Sequence, residues 1–262
     1  MALPIYQVDA FASKLFGGNP AAVVPLEKWL DDKTMLNIAA ENNLAETAFI
    51  IKENNFYHIR WMTPTVEVPL CGHATLASAY VIFNHIDKNI TSVKFQSKSG
   101  ELVVNKKGDL LELDFPTNQP EKVERPKEIL ECFGLEPIEI LTTDFYLLVV
   151  FDSEEFIRTF RPKIDLIRKI HPDAVIITAK GKECDFVSRM FAPNSGIDED
   201  PVTGSAHTVL TPYWSEKLGK KKLTARQISN RGGELFCEDA GDRVKIAGKA
   251  ELYLTGSIYL NL

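Results

Sequence analysis

Several things this chain lacks narrow its class before any motif is considered. No apolar run approaches the roughly 20 residues that cross a bilayer, since the longest, Phe145 to Phe151, is far too short. No membrane span is expected. The amino-terminal stretch has no basic leader and carries Asp9 inside its first apolar segment. It therefore reads as a first strand rather than a signal peptide, and a cytoplasmic protein is expected. Cys71, Cys132, Cys184 and Cys237 form no Cys-x-x-Cys pair, which argues against a zinc knuckle and a disulfide framework. Positive charge is not in excess, because 30 Lys and Arg against 36 Asp and Glu leave a net charge of −6. Such a surface gives a polyanion no footprint, and nucleic acid is not an expected partner. Low-complexity segments are also missing. With 45% hydrophobic and 25% charged residues among its 262, the chain can bury the core of one large or two small domains.

What the chain does contain is an internal repeat. Arg60-Trp-Met-Thr-Pro64 returns as Arg189-Met-Phe-Ala-Pro193 at an offset of 129. Pro69-Leu-Cys-Gly-His-Ala74 returns as Pro201-Val-Thr-Gly-Ser-Ala206 at 132, and Gly100-Glu-Leu102 and Gly108-Asp109 return as Gly233-Glu-Leu235 and Gly241-Asp242 at 133. Matches in one order with a slowly drifting offset point to two homologous halves, residues 1–117 and 118–262, joined through the Pro-rich stretch Pro116 to Pro126. The last strand, Ile258 to Leu262, is a candidate to cross back to the first half.

Periodicity gives both halves the same order of elements. In the first, strand Ile5 to Val8 and the Gly17 to Pro20 turn lead to an apolar run at Ala21 to Val24, and a helix over Asp32 to Glu41 precedes strands Thr47 to Lys52 and Tyr57 to Met62. A helix from His73 to Ile86 then carries Leu76, Ala77, Ala79, Tyr80, Val81 and Ile82 around nearly its whole circumference. A helix apolar on all sides must be surrounded. Strands Ser92 to Gln96, Glu101 to Asn105 and Asp109 to Asp114 would supply a curved sheet that wraps it. The second half repeats this with helix Ser205 to Leu218 and three following strands. The expected class is α+β, with two pseudo-symmetric halves, each a curved and mostly antiparallel sheet around a central helix.

Related halves usually pack about a pseudo-twofold axis, and small-molecule sites favour such junctions, so both Gly turns are expected to face one cleft. Gly72 and Gly204 open the two buried helices, where free N–H groups suit a carboxylate or oxyanion. The repeat differs in chemistry at these turns: His73 corresponds to Ser205, and Cys71 to Thr203. Glu46 begins an apolar strand and Asp200 immediately precedes Pro201. Position alone also fits a solvent-facing carboxylate for Glu46 and a helix-approach cap for Asp200. The constellation on repeated Gly turns points to a site.

Val8-Asp-Ala-Phe11, Gly18-Asn-Pro-Ala-Ala-Val23, Asn43-Leu-Ala-Glu-Thr47, Arg60-Trp-Met-Thr-Pro64, Cys71-Gly-His-Ala-Thr75 and Glu199-Asp-Pro-Val-Thr-Gly-Ser-Ala-His207 together resemble the PhzF-like family, named after a phenazine-biosynthesis isomerase. The resemblance runs nearly end to end and implies the fold of diaminopimelate epimerase. It further implies catalysis without metal or organic cofactor, in which a proton moves between carbons of a small carboxylated metabolite, and a homodimer. By the same resemblance Glu46 is the acid/base, and Gly72, His73, Asp200, Gly204 and Ser205 complete the site, with the two Gly turns binding substrate. Epimerases of this fold use two cysteines, and Thr203 stands where the second would be, so Cys71 is expected to be a bystander. A cysteine hydrolase would need a His elsewhere to pair with Cys71, and none is evident. A carboxylate-binding protein without activity is the alternative reading.

Overall fold

The computed structural model describes residues 1–171 and 173–260. Its chain is α+β and forms two compact units, residues 1–114 together with the chain from Ala247 onward, and residues 115–246. Among the described residues no helix is long and apolar enough to cross a membrane.

In the first unit, β1 (Ala2–Ala10), β2 (Asn19–Leu26), β3 (Glu46–Glu53) and β4 (Phe56–Met62) form the body of the sheet. β1 runs antiparallel to β2 on one side and to the late strand Ala250–Tyr259 on the other. Asn261 and Leu262, the end of the strand expected from Ile258, lie outside the described residues. β2 and β3 are parallel, β3 and β4 antiparallel. β4 then pairs in parallel with Ser92–Ser97, which continues through antiparallel neighbours Gly100–Lys107 and Leu110–Pro116. Strands with parallel partners are covered on both faces and read as continuous apolar runs, and Ala21 to Val24 are all fully buried.

The two covers are α1 (Asp32–Asn42) and α2 (Gly72–Val81). Met35, Ile38 and Ala39 of α1 join Val24, Leu26, Phe49 and Met62 in one apolar cluster. On the other face α2 packs on β1, β2 and β3, and every one of its residues except Tyr80 is buried. Each large apolar side chain so enclosed contributes about 2 kcal/mol, which explains why a helix with no polar face is stable here. The α-helical part is shorter than the apolar pattern predicts, because Ile82–Ile86 forms a π-helical turn. There the Asp87 N–H donates to the Ile82 carbonyl at 2.7 Å, while the Asn84 side chain donates to the Tyr80 carbonyl at 2.9 Å. The side-chain amide thus supplies a donor that the wide turn displaces.

The second unit repeats the pairing. Tyr146–Val150 and Ala174–Lys180 are parallel, Ala174–Lys180 and Phe186–Ala192 antiparallel, Phe186–Ala192 and Lys222–Gln227 parallel, and Lys222–Gln227 and Gly233–Asp239 antiparallel. Its central helix is His207–Leu218, buried from His207 through Ser215. It begins two residues later than the pattern predicts, because His207 and Thr208 donate to the carbonyls three residues back, Gly204 and Ser205, and so form tighter turns. Pro212 inside this helix has no N–H, and the Thr208 carbonyl it would have served accepts from Asn118 N–H at 3.2 Å. Three short helices, Ile129–Phe133, Glu154–Thr159 and Ile164–Ile170, cover the other face. Phe133, Ile157 and Ile167 pack there with Val149, Val175 and Phe191.

Candidate active site

At the amino end of α2, three separate segments bring their side chains together. The β2/β3 register opens at Ala21 opposite Glu46, so Asn19 and Glu46 lie at the same end of two parallel strands. Gly18 turns the chain into β2 with φ +64, and a Cβ there would meet the Ala10 carbonyl at 2.2 Å, so the residue before Asn19 must be glycine. Glu46 reaches its place because Asn43, in the left-handed conformation at φ 49, ends α1. His73 sits in the first turn of α2 and Cys71 is its N-cap.

Glu46 Oε2 and His73 Nε2 are 3.0 Å apart, with side chains 10% and 7% exposed. Asn19 Nδ2 lies 3.2 Å from His73 Nδ1, and Cys71 Sγ 3.6 Å from the same nitrogen. Where the Asn19 amide donates to Nδ1, the neutral ring carries its proton on Nε2, facing the carboxylate; the protonated ring requires the amide turned to present its oxygen. Burial pulls the His73 imidazole down, but the Cys71 sulfur and the Glu46 carboxylate together outweigh it and hold His73 well above its ordinary range. Burial and the Glu46 charge push the Cys71 thiol up. The Glu46 carboxylate thus acts on both neighbours, raising His73 and opposing a thiolate at Cys71.

Two other carboxylates of this unit, half-buried Glu67 and buried Glu112, are locked by permanent cations. Glu67 takes two hydrogen bonds from Arg60, at 2.9 and 2.7 Å, and a third from Lys98. The Arg60 guanidinium, aided by Lys98, holds Glu67 down to about 2. Glu112 has Lys107 at 2.7 Å. Glu46 faces a titratable imidazole instead.

The second unit builds a different set on the same frame. Asp200 ends the short strand Ile197–Asp200 and accepts from Thr203 Oγ1 at 2.5 Å. Gln227 fixes this turn from the neighbouring strand, accepting from Thr203 N–H at 2.9 Å and donating to the Asp200 carbonyl at 2.8 Å. Ser205 Oγ, beside Gly204, is 2.8 Å from the Tyr146 hydroxyl. Burial, with the Asp200 charge adding to it and the Ser205 hydrogen bond opposing, pushes Tyr146 up to about 12, so it is a neutral phenol. Thus Glu46, Gly72 and His73 gather at one turn, and Asp200, Gly204 and Ser205 at the other. Asn19, Tyr146 and Gln227 are additions that sequence reasoning missed as site residues. Asn19 stands inside the Gly18-Asn-Pro motif, which was the one available signal, whereas Tyr146 is hidden in the longest apolar run.

The repeat also identifies what is structural. Arg189 makes the same two-pronged contact to Glu199, at 2.7 and 2.9 Å, that Arg60 makes to Glu67. Glu199, although adjacent to Asp200, belongs to that fork.

A curved sheet around a buried helix, built twice, is the fold of a group of racemases and epimerases. A probable proline racemase from Agrobacterium radiobacter shares it at TM-score 0.63 and 10% identity, over 99% of this chain and 93% of that one, a likeness of fold alone. Closer comparison gives the family: residues 8–256 match the phenazine biosynthesis-like protein family, PhzC-PhzF, and this chain is a member of it. An uncharacterized isomerase from Pseudomonas aeruginosa is 49% identical over 260 residues, covering 99% of this chain and all of the relative. The crystal structure of a PhzF-family protein from Enterococcus faecalis superposes at TM-score 0.97 with 46% identity, over 99% of this chain and all of that one.

Proposed function

We propose that this protein is a cofactor-independent isomerase that moves a proton between carbons of a small carboxylated substrate, with Glu46 as the acid/base. The observation that carries the proposal is the Glu46–His73 pair: a buried carboxylate at the amino end of a buried helix, 3.0 Å from an imidazole and, among the described residues, held by no Arg or Lys. A carboxylate clamped by guanidinium is a poor base, and one beside a group that can itself take or give a proton is suited to transfer. The names of the similar proteins, isomerases among them, support the same class of reaction.

In the proposed reaction, N–H groups at Gly72 and His73 hold the substrate carboxylate and stabilise negative charge as an adjacent C–H bond breaks. Glu46 takes that proton and returns it to another carbon, while the His73 imidazole stands 3.0 Å from the Glu46 carboxylate as a second group able to take or give a proton. Asp200 and Ser205, with Gly204, bind polar groups of the substrate. One base serving both steps fits an isomerisation, in which nothing is consumed.

The test is deuterium wash-in from solvent across a panel of small unsaturated, hydroxylated and aminated carboxylates, followed by Glu46→Gln. The variant keeps shape and hydrogen bonding, so calorimetric affinity should change little while exchange falls by about 10² to 10⁴. Exchange retained at the wild-type rate would make Glu46 structural. Binding without exchange in the wild type would make the protein a carboxylate binder.

A further inference from the structure

We propose that Glu46, Cys71 and His73 form a capture site for a soft divalent cation of the Zn²⁺ class, and that filling it silences the carboxylate. Only the silencing rests on the reading of Glu46 as the acid/base; the binding does not.

The three residues are buried, and each offers a ligand atom such that all lie within 4.8 Å of one another. Glu46 Oε2 and His73 Nε2 face each other at 3.0 Å but outside hydrogen-bond geometry, and among the described residues neither atom has a hydrogen-bond partner. Two such atoms, each about 2.0 to 2.1 Å from a zinc ion, would subtend roughly 95° at the metal, within reach of a distorted tetrahedron. The other ring nitrogen is already attended by the Asn19 amide at 3.2 Å. Turned to present its oxygen, that amide accepts the Nδ1 proton, as the partners that orient metal-bound histidines do. Cys71, whose sulfur stands 3.6 Å from Nδ1, supplies the third ligand from the N-cap of α2 by turning its side chain toward the Glu46 side of the ring, with a fourth position left for water.

Charge and softness select the ion. A carboxylate, a thiolate and a neutral imidazole balance a divalent cation, so the filled site buries no net charge. Thiolate ligation favours Zn²⁺, Cd²⁺ or Co²⁺ over Mg²⁺ and Ca²⁺. Binding must expel the Cys71 thiol proton to solvent, along with any proton on Nε2, so affinity rises with pH. The positive end of α2 works against the cation while favouring the thiolate, which makes the site a reversible trap and not a structural centre. The second unit serves as an internal control. The repeat puts Thr203 at the Cys71 position and Ser205 at that of His73. The parallel register that opens with Ala21 opposite Glu46 in unit one opens with Tyr146 opposite Ala174 in unit two. No ligand set survives there.

The experiment is titration of the metal-stripped full-length protein with Co²⁺. We expect one equivalent to bind with a near-ultraviolet thiolate-to-cobalt band, displaced by Zn²⁺ and removed by EDTA. Cys71→Ser should lose the band, although Cys132, Cys184 and Cys237 remain. Glu46→Gln should keep the band and bind more weakly, by at least the roughly tenfold that even an outer-shell partner is worth. Should Cys71→Ser misfold, Zn²⁺ must protect Cys71 of the wild type from alkylation, read by peptide mass spectrometry. Absence of saturable binding, a band that persists in Cys71→Ser, or no protection of Cys71 overturns the site. Metal bound here without effect on deuterium wash-in would keep the site and sink the acid/base role of Glu46. Exchange lost in Glu46→Gln with no metal bound would do the reverse.

Discussion

Cys71 and Asp200 make opposite predictions although each lies beside a Gly turn. Burial and the Glu46 charge keep Cys71 a thiol, and its counterpart in the repeat is Thr203, so two-thiol chemistry has no second member. Cys71→Ser should therefore cost less than about tenfold in deuterium wash-in, well short of the 10² to 10⁴ that loss of an acid/base brings; a loss in that larger range would restore the thiol as a reactant. Asp200→Asn should weaken binding and turnover together, as expected for a contact already made in the ground state, and calorimetry beside kinetics on the one variant separates the two. His207 gives a pH prediction. Burial, opposed only by its bond to the Thr203 carbonyl, pulls His207 down to about 4. The unfolded chain binds this proton near pH 6.5, so the unfolded state holds more protons between about 6.5 and 4. Stability contributed by the neutral ring is complete above 6.5 and is lost as pH falls toward 4, by an amount on the order of 3 kcal/mol. Urea unfolding across that interval should show the slope, and His207→Thr, which installs the residue that the repeat has at Thr75, should flatten it.

Helices and strands were legible in proportion to how little they depend on distant partners. α2 announced itself by being apolar on all sides, and a wrapped helix was the one arrangement that could bury it. Its true end could not be read, because the π-helical turn rests on the Asn84 side chain serving the Tyr80 carbonyl, a local substitution with no periodic signature. The helix carrying Pro212 was found although Pro breaks helices, since its other residues kept the repeat; the rescue by Asn118 comes from far away in the chain. Helices of five to seven residues, such as Ile129–Phe133 and Ile164–Ile170, are too short for a period to show. The site follows the same rule. Glu46 and His73 stood out by type and place, whereas Asn19 and Tyr146 gain meaning only when parallel strands align them with the helix starts. The repeated Arg–Glu forks permit a comparison between elements. Arg189 also donates to the Ile157 and Phe160 carbonyls at 3.1 and 2.7 Å, and its side chain is 9% exposed against 19% for Arg60. Arg189→Met would leave a carboxylate and two carbonyls without their donor, and should cost about 3 to 5 kcal/mol. Arg60→Met should cost less, because Glu67 keeps Lys98. Urea midpoints of the two variants decide this, and equal losses would mean that the fork alone sets the energy.

At the scale of the molecule, the two units differ in how the chain assembles them. The second is one continuous run, residues 115–246, while the first needs both ends of the chain. β1 lies between β2 and Ala250–Tyr259, with Ala2 through Ala10 all paired to that late strand across a register shift between Gln7 and Val8. A fragment of residues 1–114 therefore leaves one whole edge of β1 without hydrogen-bond partners, and it also lacks Gly248, whose ideal Cβ position lies 2.4 Å from the Phe11 ring, a contact that only a glycine permits. Unpaired edge groups and lost packing on a strand otherwise buried at Val8 and Ala10 cost an amount comparable with the roughly 5 to 15 kcal/mol of a typical domain's net stability. The fragment 115–246 has all of its strand pairings within itself as far as Gly233–Asp239. The expected outcome is a cooperative urea transition for 115–246, and none for 1–114 until a peptide carrying residues 247–262 is supplied, when binding and folding appear together. Circular dichroism of the three samples is the measurement. A fragment of 1–114 that folds cooperatively without the peptide would show that the late strand is an accessory edge, and that β1 is held by β2 and α2 alone.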